Sequence, residues 1–444
     1  EGVVFRRAYA PVPVCAPTRS AMITGTYPIR TGTHDMRSGR TPEFQIHLPP
    51  DTKTLPELFR EAGYETFAAT KDDFNFVYDR NALYSIGNEK AKAVDAKNWK
   101  GSMGGGSWRD VTEGRPFYGK IAIAGGKGTQ DIHAHLKSLG LEPVRPANVR
   151  VPAQYPDLPQ VREHIATHYN TILMTDHALG EVMAQLKKDG LWGNTIIFLY
   201  SDHGSDLPRS KEFVYHEGLQ VPFIVAAPGL TTAMRPGSQR NDIVSLMDIT
   251  ATSLALAGLP VPGYMDSRNT FDPDYSREYV FSSADRMSNV IDRVRSVMGT
   301  EFHYIRNFLT DRPLMNWGHR EMIALAAPEK SSFLTIRKLA EAGKLTPAQA
   351  APYGPRIAEE LYHLPSDPDE VVNLASDPRY SAQLAEMRAA LAAWIVDTGD
   401  KGQYPRSKAA MKEITDRYPL GWLRSPEFQN LQVKADKAAP EKGK

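Results

Sequence analysis

The chain reads as an α/β protein. A mixed, mainly parallel sheet flanked by helices is expected over residues 1–270, a smaller C-terminal α+β subdomain over 271–430, and a charged, flexible tail at 431–444. Three observations predict this. Thr54–Gly63 carries a capping threonine, an early proline, apolar residues at 55, 58, 59 and 62, and a terminal glycine; it runs straight into the strand-like Tyr64–Ala69, as in an α/β unit. Asn194–Tyr200 and Gln220–Ala227 are short apolar runs of the kind found as buried parallel strands. Proline, glycine and aspartate then accumulate around 260–275, as at a boundary, and short strand candidates follow at 279–283, 294–298 and 302–306.

The other elements follow in order. Pro17 suits a first helical turn, Arg19 to Thr24 holds no breaker, and Gly25 is a left-handed stop, so Cys15 falls at or just before a helix N-terminus. Residues 85–115 are rich in Gly, Lys and Asn and read as an irregular insertion. Tyr118–Ala124 is a weak strand followed by the loop Gly125–Gly128, which lacks the spacing of a phosphate-binding loop. Pro146–Pro159 is proline-rich surface chain. Val161–Lys188 is a long helix ended by Gly190, and Ser245–Ala257 a helix ended by Gly258. Asp377-Pro378 starts a helix whose Tyr380, Leu384, Met387, Leu391 and Trp394 form a core stripe.

Composition excludes some classes. With 53 basic and 52 acidic residues the formal charge is +1, which argues against a general nucleic-acid footprint. One cysteine rules out an internal disulfide framework and a cysteine-built zinc site. No apolar run is long enough to span a bilayer.

That cysteine stands in Cys15-Ala16-Pro17-Thr18-Arg19-Ser20-Ala21-Met22-Ile23-Thr24-Gly25, followed by Tyr27-Pro28 and Thr31-Gly32. Ser201-Asp202-His203-Gly204 follows the run 194–200 directly, where ligands of open α/β sheets gather. Lys211, Tyr215, Gly218 and Val221-Pro222 continue it without a gap. Together these resemble the signatures of the formylglycine-dependent sulfatases of the alkaline-phosphatase-like superfamily. Glu360-Leu361-Tyr362-His363-Leu364 with Asp367-Pro368, Glu370 and Asn373-Leu374 resembles a structural element near their C-termini, so the resemblance spans about residues 1–400.

The resemblance implies a sulfuric ester hydrolase. A maturase (formylglycine-generating or anaerobic sulfatase-maturing) would oxidise Cys15 to an aldehyde whose hydrate attacks sulfur; the alcohol leaves, and the second hydroxyl then expels sulfate. Asp202 and His203, with the modified Cys15, would bind calcium, or magnesium in its place. Arg19 would hold the hydrate, and Lys71 and Lys211 the sulfate oxygens. Gly63-Tyr64-Glu65-Thr66 and Lys71 match the family, but Asp73 stands where a histidine is usual, so Asp73 and Asn75 are expected in that corner of the pocket without a leaving-group acid. His34 and Arg37 would line the substrate side, and Lys127 or His133 would stand for a further family histidine. The substrate implied is a sulfated small molecule or carbohydrate. Physics agrees that the helix end needs help: it favours an anion by about 0.3–1 kcal/mol, whereas enzymes lower barriers by about 8–23 kcal/mol.

Three expectations stay open at this point. Phosphonate or phosphate monoesters are an alternative substrate, because related enzymes use the same nucleophile. Glu1 to Ala10 reads as the middle of a sulfatase, with a first central strand and paired metal-binding aspartates expected upstream, so the chain could be a catalytically incompetent fragment. Periplasmic and secreted locations are both open.

Overall fold

A computed structural model describes residues 2–88, 104–123, 125, 132–228, 235–315 and 324–429. Lys127, expected in the pocket, and the expected flexible tail at 431–444 lie outside the described residues. The first sheet has the order β4-β5-β1-β6, from β1 (Val3–Tyr9), β4 (Ile197–Tyr200), β5 (Phe223–Ala226) and β6 (Gln239–Ser245). β2 (Glu65–Ala69) and β3 (Phe117–Ile121) form a parallel pair. β7 (Val280–Met287), β8 (Val290–Met298), β9 (Phe302–Asn307) and β10 (Glu359–His363) make an antiparallel sheet in the order β10-β9-β8-β7.

Several directions and burials differ from expectation. β4 pairs antiparallel with β5, and β5 antiparallel with β1; only β1–β6 and β2–β3 are parallel in this half among the described residues. β4 is half-buried at the sheet edge, not a buried inner strand. An apolar run reports affinity for a sheet but not the direction of its partner, which is why this could not be read locally. β1 and β6 have no expected counterpart: Arg6 and Arg7 interrupt β1, and β6 opens on the polar Gln239-Arg240-Asn241-Asp242. Pairing on both sides makes β1 an inner strand, with Val3, Phe5, Ala8 and Tyr9 buried.

The helices follow their local signals. The helix Leu55–Glu61 starts on a capping box in which Thr54 N–H and hydroxyl both reach Glu57 Oε2, at 2.8 and 2.6 Å. The long helix runs Pro159–Lys188 and Gly190 turns left-handed after it at φ 73°. Asp377 accepts from Arg379 N–H, and a short 3₁₀ turn leads into Ser381–Thr398, whose Leu384, Met387, Leu391 and Trp394 are buried.

The two sheets share a core. Tyr9, Val12, Val14 and Cys15 pack in one buried cluster with Val280, Met287, Ile305 and Tyr362. Ser282 Oγ donates to Ala10 C=O at 2.8 Å and Ser283 N–H to Pro11 C=O at 3.0 Å. The β7 end of the second sheet thereby buttresses the loop that delivers Cys15. No described helix is long and apolar enough to cross a membrane.

Candidate active site

β1 leads through the buried Pro11-Val12-Pro13-Val14 into the helix Cys15–Thr24. Every residue of this helix is buried except Arg19. Its start is pinned from two sides: Thr18 Oγ1 donates to Val12 C=O at 2.5 Å, and Glu212 N–H to Pro13 C=O at 2.8 Å. Gly25 ends it at φ 70°, with its N–H on Ala21 C=O. Position 15 is therefore held at the helix N-terminus by backbone contacts.

The Ser201–Gly204 turn comes to it from the end of β4. Cys15 Sγ lies 3.3 Å from His203 Nε2. His203 Nδ1 lies 2.7 Å from Gly204 C=O; a carbonyl can only accept, so Nδ1 donates and Nε2 is the nitrogen that faces Cys15. Gly204 is required by close approach, since a Cβ there would stand 2.1 Å from Glu217 C=O. Arg19 Nε donates to Asp202 Oδ2 at 2.7 Å, and its Nη1 to Lys71 C=O at 2.8 Å. One arginine thus ties the Cys15 helix, the Asp202 turn and the Lys71 segment together.

The electrostatics centre on Cys15. Burial pushes its thiol up and Asp202 pushes the same way, yet His203, Lys211 and the hydrogen bond to His203 outweigh both and leave it at about 5. Burial would weaken the charge of Arg19, but Asp202 and Cys15 hold it firmly protonated. Among the described residues, Cys15, Asp202 and His203 are the group of three whose ligand atoms lie within 4.8 Å of one another. One carboxylate and one imidazole, with oxygens at a hydrated position 15, fit part of a cation's shell; calcium takes about six to eight oxygens, so further ligands are needed.

The other expected residues divide. Lys71 Nζ sits 2.5 Å from Asp73 Oδ2, and Arg37 Nε 3.9 Å from Asp73 Oδ1. Burial raises the Asp73 carboxyl, but Lys71 and Arg37 overcome this and hold it below the usual carboxylate range. Lys211 is half-buried on the loop after Gly204, its N–H on Ser205 C=O at 2.9 Å. Asn75 takes a scaffold place instead of a substrate place: its Nδ2 donates to Thr33 and Asp35 C=O at 2.8 and 2.6 Å, and its Oδ1 accepts from Ser38 N–H at 3.2 Å. His34 turns toward the second sheet, Nε2 4.0 Å from Asp285 Oδ2. His133 lies on the helix Ile132–Ser138 and meets Asn170 and Glu163 of the long helix, with no contact to the Cys15 group. A spacing count could not foresee that helix, which carries the histidine away.

Lys120 had no part in the sequence reading. It lies on β3 beside Ala68 of β2, its Nζ 5.5 Å from the centre of the Phe74 ring. Burial and the neighbouring charges of Arg19 and Lys71 lower its ammonium to about 7, against the pull of Asp72 and Asp202. A lysine on the strand flanking a motif strand was the only signal available.

The loop 33–39 is fixed from the far end of the chain. Glu413, on the helix Lys408–Arg417, accepts from Ser38 Oγ at 2.8 Å and Gly39 N–H at 3.2 Å, and faces Arg286 Nη2 at 3.6 Å. Arg406 donates twice to Asp35, both at 2.7 Å. Glu413→Ala would leave the buried Arg286 cation and two donors without it. It is expected to cost about 3–5 kcal/mol, read as a lower urea midpoint; an unchanged midpoint would show that the loop holds itself.

The sulfatase family model matches residues 1–259. The chain belongs to the sulfatase family. An ulvan-active sulfatase of Formosa agariphila is 29% identical over 93% of this chain and 72% of its own length. A solved protein in complex with its substrate D-glucosamine-2-N,6-O-disulfate superposes with a TM-score of 0.60 at 15% identity, covering 91% of this chain and 93% of that one. A phosphonate monoester hydrolase from Silicibacter pomeroyi gives 0.59 at 17%, covering 90% of each. The fold is the alkaline-phosphatase-like α/β fold of the sulfatases, and this sulfatase is a sulfuric ester hydrolase.

Proposed function

We propose that this sulfatase cleaves sulfated carbohydrates through a formylglycine made from Cys15 by a maturase, with a divalent cation, calcium or else magnesium, held in part by Asp202 and His203. The observation that carries the reading is the meeting of Cys15, Asp202 and His203 at the ends of two elements far apart in sequence. When bound, the metal supplies Lewis-acid polarisation of the sulfate and lowers the pKa of the attacking hydroxyl.

The chain's own residues do the rest. Arg19 fixes one oxygen of Asp202, leaving Oδ1 on the side of His203, 3.5 Å from Nε2. His203, with Nδ1 donating to Gly204 C=O, is oriented so that Nε2 faces position 15 and Asp202. Lys71 and Lys211 offset the repulsion between an anionic ester and an anionic nucleophile, as preorganised cations.

The test is the mass of the peptide containing position 15 after co-expression with a maturase. A loss of about 18 Da relative to cysteine is expected, the difference between a thiol and an aldehyde side chain. Unmodified Cys15 in a fully active preparation would overturn the reading. The same preparation, assayed on aryl sulfate and aryl phosphate with and without chelator, decides between the two ester classes and shows whether a metal is needed.

A further inference from the structure

Arg37 is held in a way the cleavage of a sulfate ester does not itself require. Its backbone is left-handed, at φ 54°, a region that costs an ordinary residue energy and that persists only where surroundings enforce it. The enforcement is visible: Arg37 C=O accepts from Arg417 Nη1 at 2.7 Å and from Arg286 Nη2 at 3.4 Å. Glu413 clamps the next two residues, Ser38 and Gly39. Asp73, across from it, is also left-handed, at φ 57°.

The side chain so placed is not used up. Among the described residues, the Arg37 guanidinium makes no hydrogen bond; its one ion pair, to Asp73 Oδ1 at 3.9 Å, is too long for one. Lys71, at 2.5 Å on the other oxygen, is the nearer partner of Asp73, and Arg37 stands off at 3.9 Å with its hydrogen-bond donors unspent on that carboxylate. Arg37 Nε is buried without a partner, although the side chain as a whole keeps 31% exposure and is reachable from solvent. A planar fork of donors, on a backbone held by Arg286 and Arg417 and with a side chain partly open to solvent, matches the paired oxygens of a carboxylate or sulfate. Lys71 and Arg37 lie on the two oxygens of one carboxylate, so both fall within reach of one small molecule.

We propose that Arg37 receives a second anionic group of the substrate, a carboxylate or a second sulfate carried on the same unit as the scissile ester. This rests on the reading that Lys71 holds the scissile sulfate. Lysine–sulfate and arginine–anion contacts would then select doubly anionic units over singly sulfated ones with no second anion.

Three substrates test this on the matured full chain: a sugar sulfate bearing a carboxylate, its carboxyl-reduced alcohol, and a disulfated sugar without a carboxylate. At least one doubly anionic substrate is expected to exceed the singly anionic, carboxyl-reduced one in kcat/KM by about 10- to 100-fold, the worth of hydrogen bonds to a charged group, mainly through KM. Which one does so identifies the second anion. Arg37→Gly removes the fork and suits the left-handed backbone, so this ratio should collapse toward one while the melting temperature holds; Arg37→Lys, with charge but no fork, should fall between. A wild-type ratio near one for both substrates, or a ratio unchanged in Arg37→Gly, overturns the proposal. Calorimetric titration with the sulfate-ester-free uronic acid and its reduced alcohol, and with inorganic sulfate, reads the subsite without turnover. Arg37-dependent binding of an anion with no hydrolysis of any substrate supports the subsite and removes the sulfatase mechanism; hydrolysis of doubly and singly anionic substrates alike does the reverse.

Discussion

Replacing Cys15 with serine abolishes sulfate-ester turnover, by about 10⁴-fold or more, the scale on which enzymes lose rate when a covalent nucleophile is removed. Serine nearly matches the volume of cysteine and can keep the contact to His203 Nε2, now 3.3 Å from Sγ. The fold around position 15 is fixed by the backbone of Val12, Pro13 and Val14 and not by the thiol. The loss should therefore appear in kcat with circular dichroism and melting temperature nearly unchanged. A serine has one hydroxyl, so after sulfate transfer it has no second one to expel the group. Turnover by Cys15→Ser at more than a few per cent of the matured enzyme would refute the formylglycine route. A burst of one alcohol per chain, followed by arrest, would support it most directly.

Removal of Lys71 or Lys211 should each lower kcat/KM by about 10²–10³, the cost of one preorganised electrostatic contact. The two should differ in stability. Lys71 is the 2.5 Å partner of Asp73, whose side chain is only 1% exposed, so Lys71→Ala strands a buried carboxylate with the more distant Arg37. That should cost about 2–3 kcal/mol of stability. The double variant Lys71→Ala/Asp73→Asn separates the roles, since the two residues are in contact and their effects need not add. Stability should return because no buried charge is left unmatched, and activity should not. Full recovery of activity in the double variant would show that Lys71 serves only to neutralise Asp73. For Lys211, whose charge acts on Cys15, Lys211→Met is expected to lower turnover with the urea midpoint unchanged.

How much was legible beforehand depends on whether the signal was local. The start of the Cys15 helix, the Gly25 stop, the capping Thr54 and the stripe 380–394 are written in adjacent residues, and each appears where expected to within a few positions. The motif residues Cys15, Arg19, Lys71, Asp202 and His203 were likewise readable as types at fixed spacings, and the structure brings these together. Lys120 was not readable, because a lysine in a weak strand has no distinguishing neighbours; its place became evident only when β3 paired with β2.

The sequence by itself determined that this is an α/β sulfatase and singled out Cys15 as its candidate nucleophile, because a motif residue, its helix start and its flanking turn are short-range features. Only the tertiary structure decided what each further polar residue is for. Asn75 and His133 were candidate substrate-pocket residues until their contacts placed one within the scaffold and the other against the long helix. Arg37 gained its meaning from Arg286, Arg417 and Glu413, more than two hundred residues away in the chain. Hydrogen bonds and ion pairs act over a few ångströms of space, whatever the separation along the chain, so only the folded neighbourhood settles which polar groups are spent on the scaffold and which remain for a ligand.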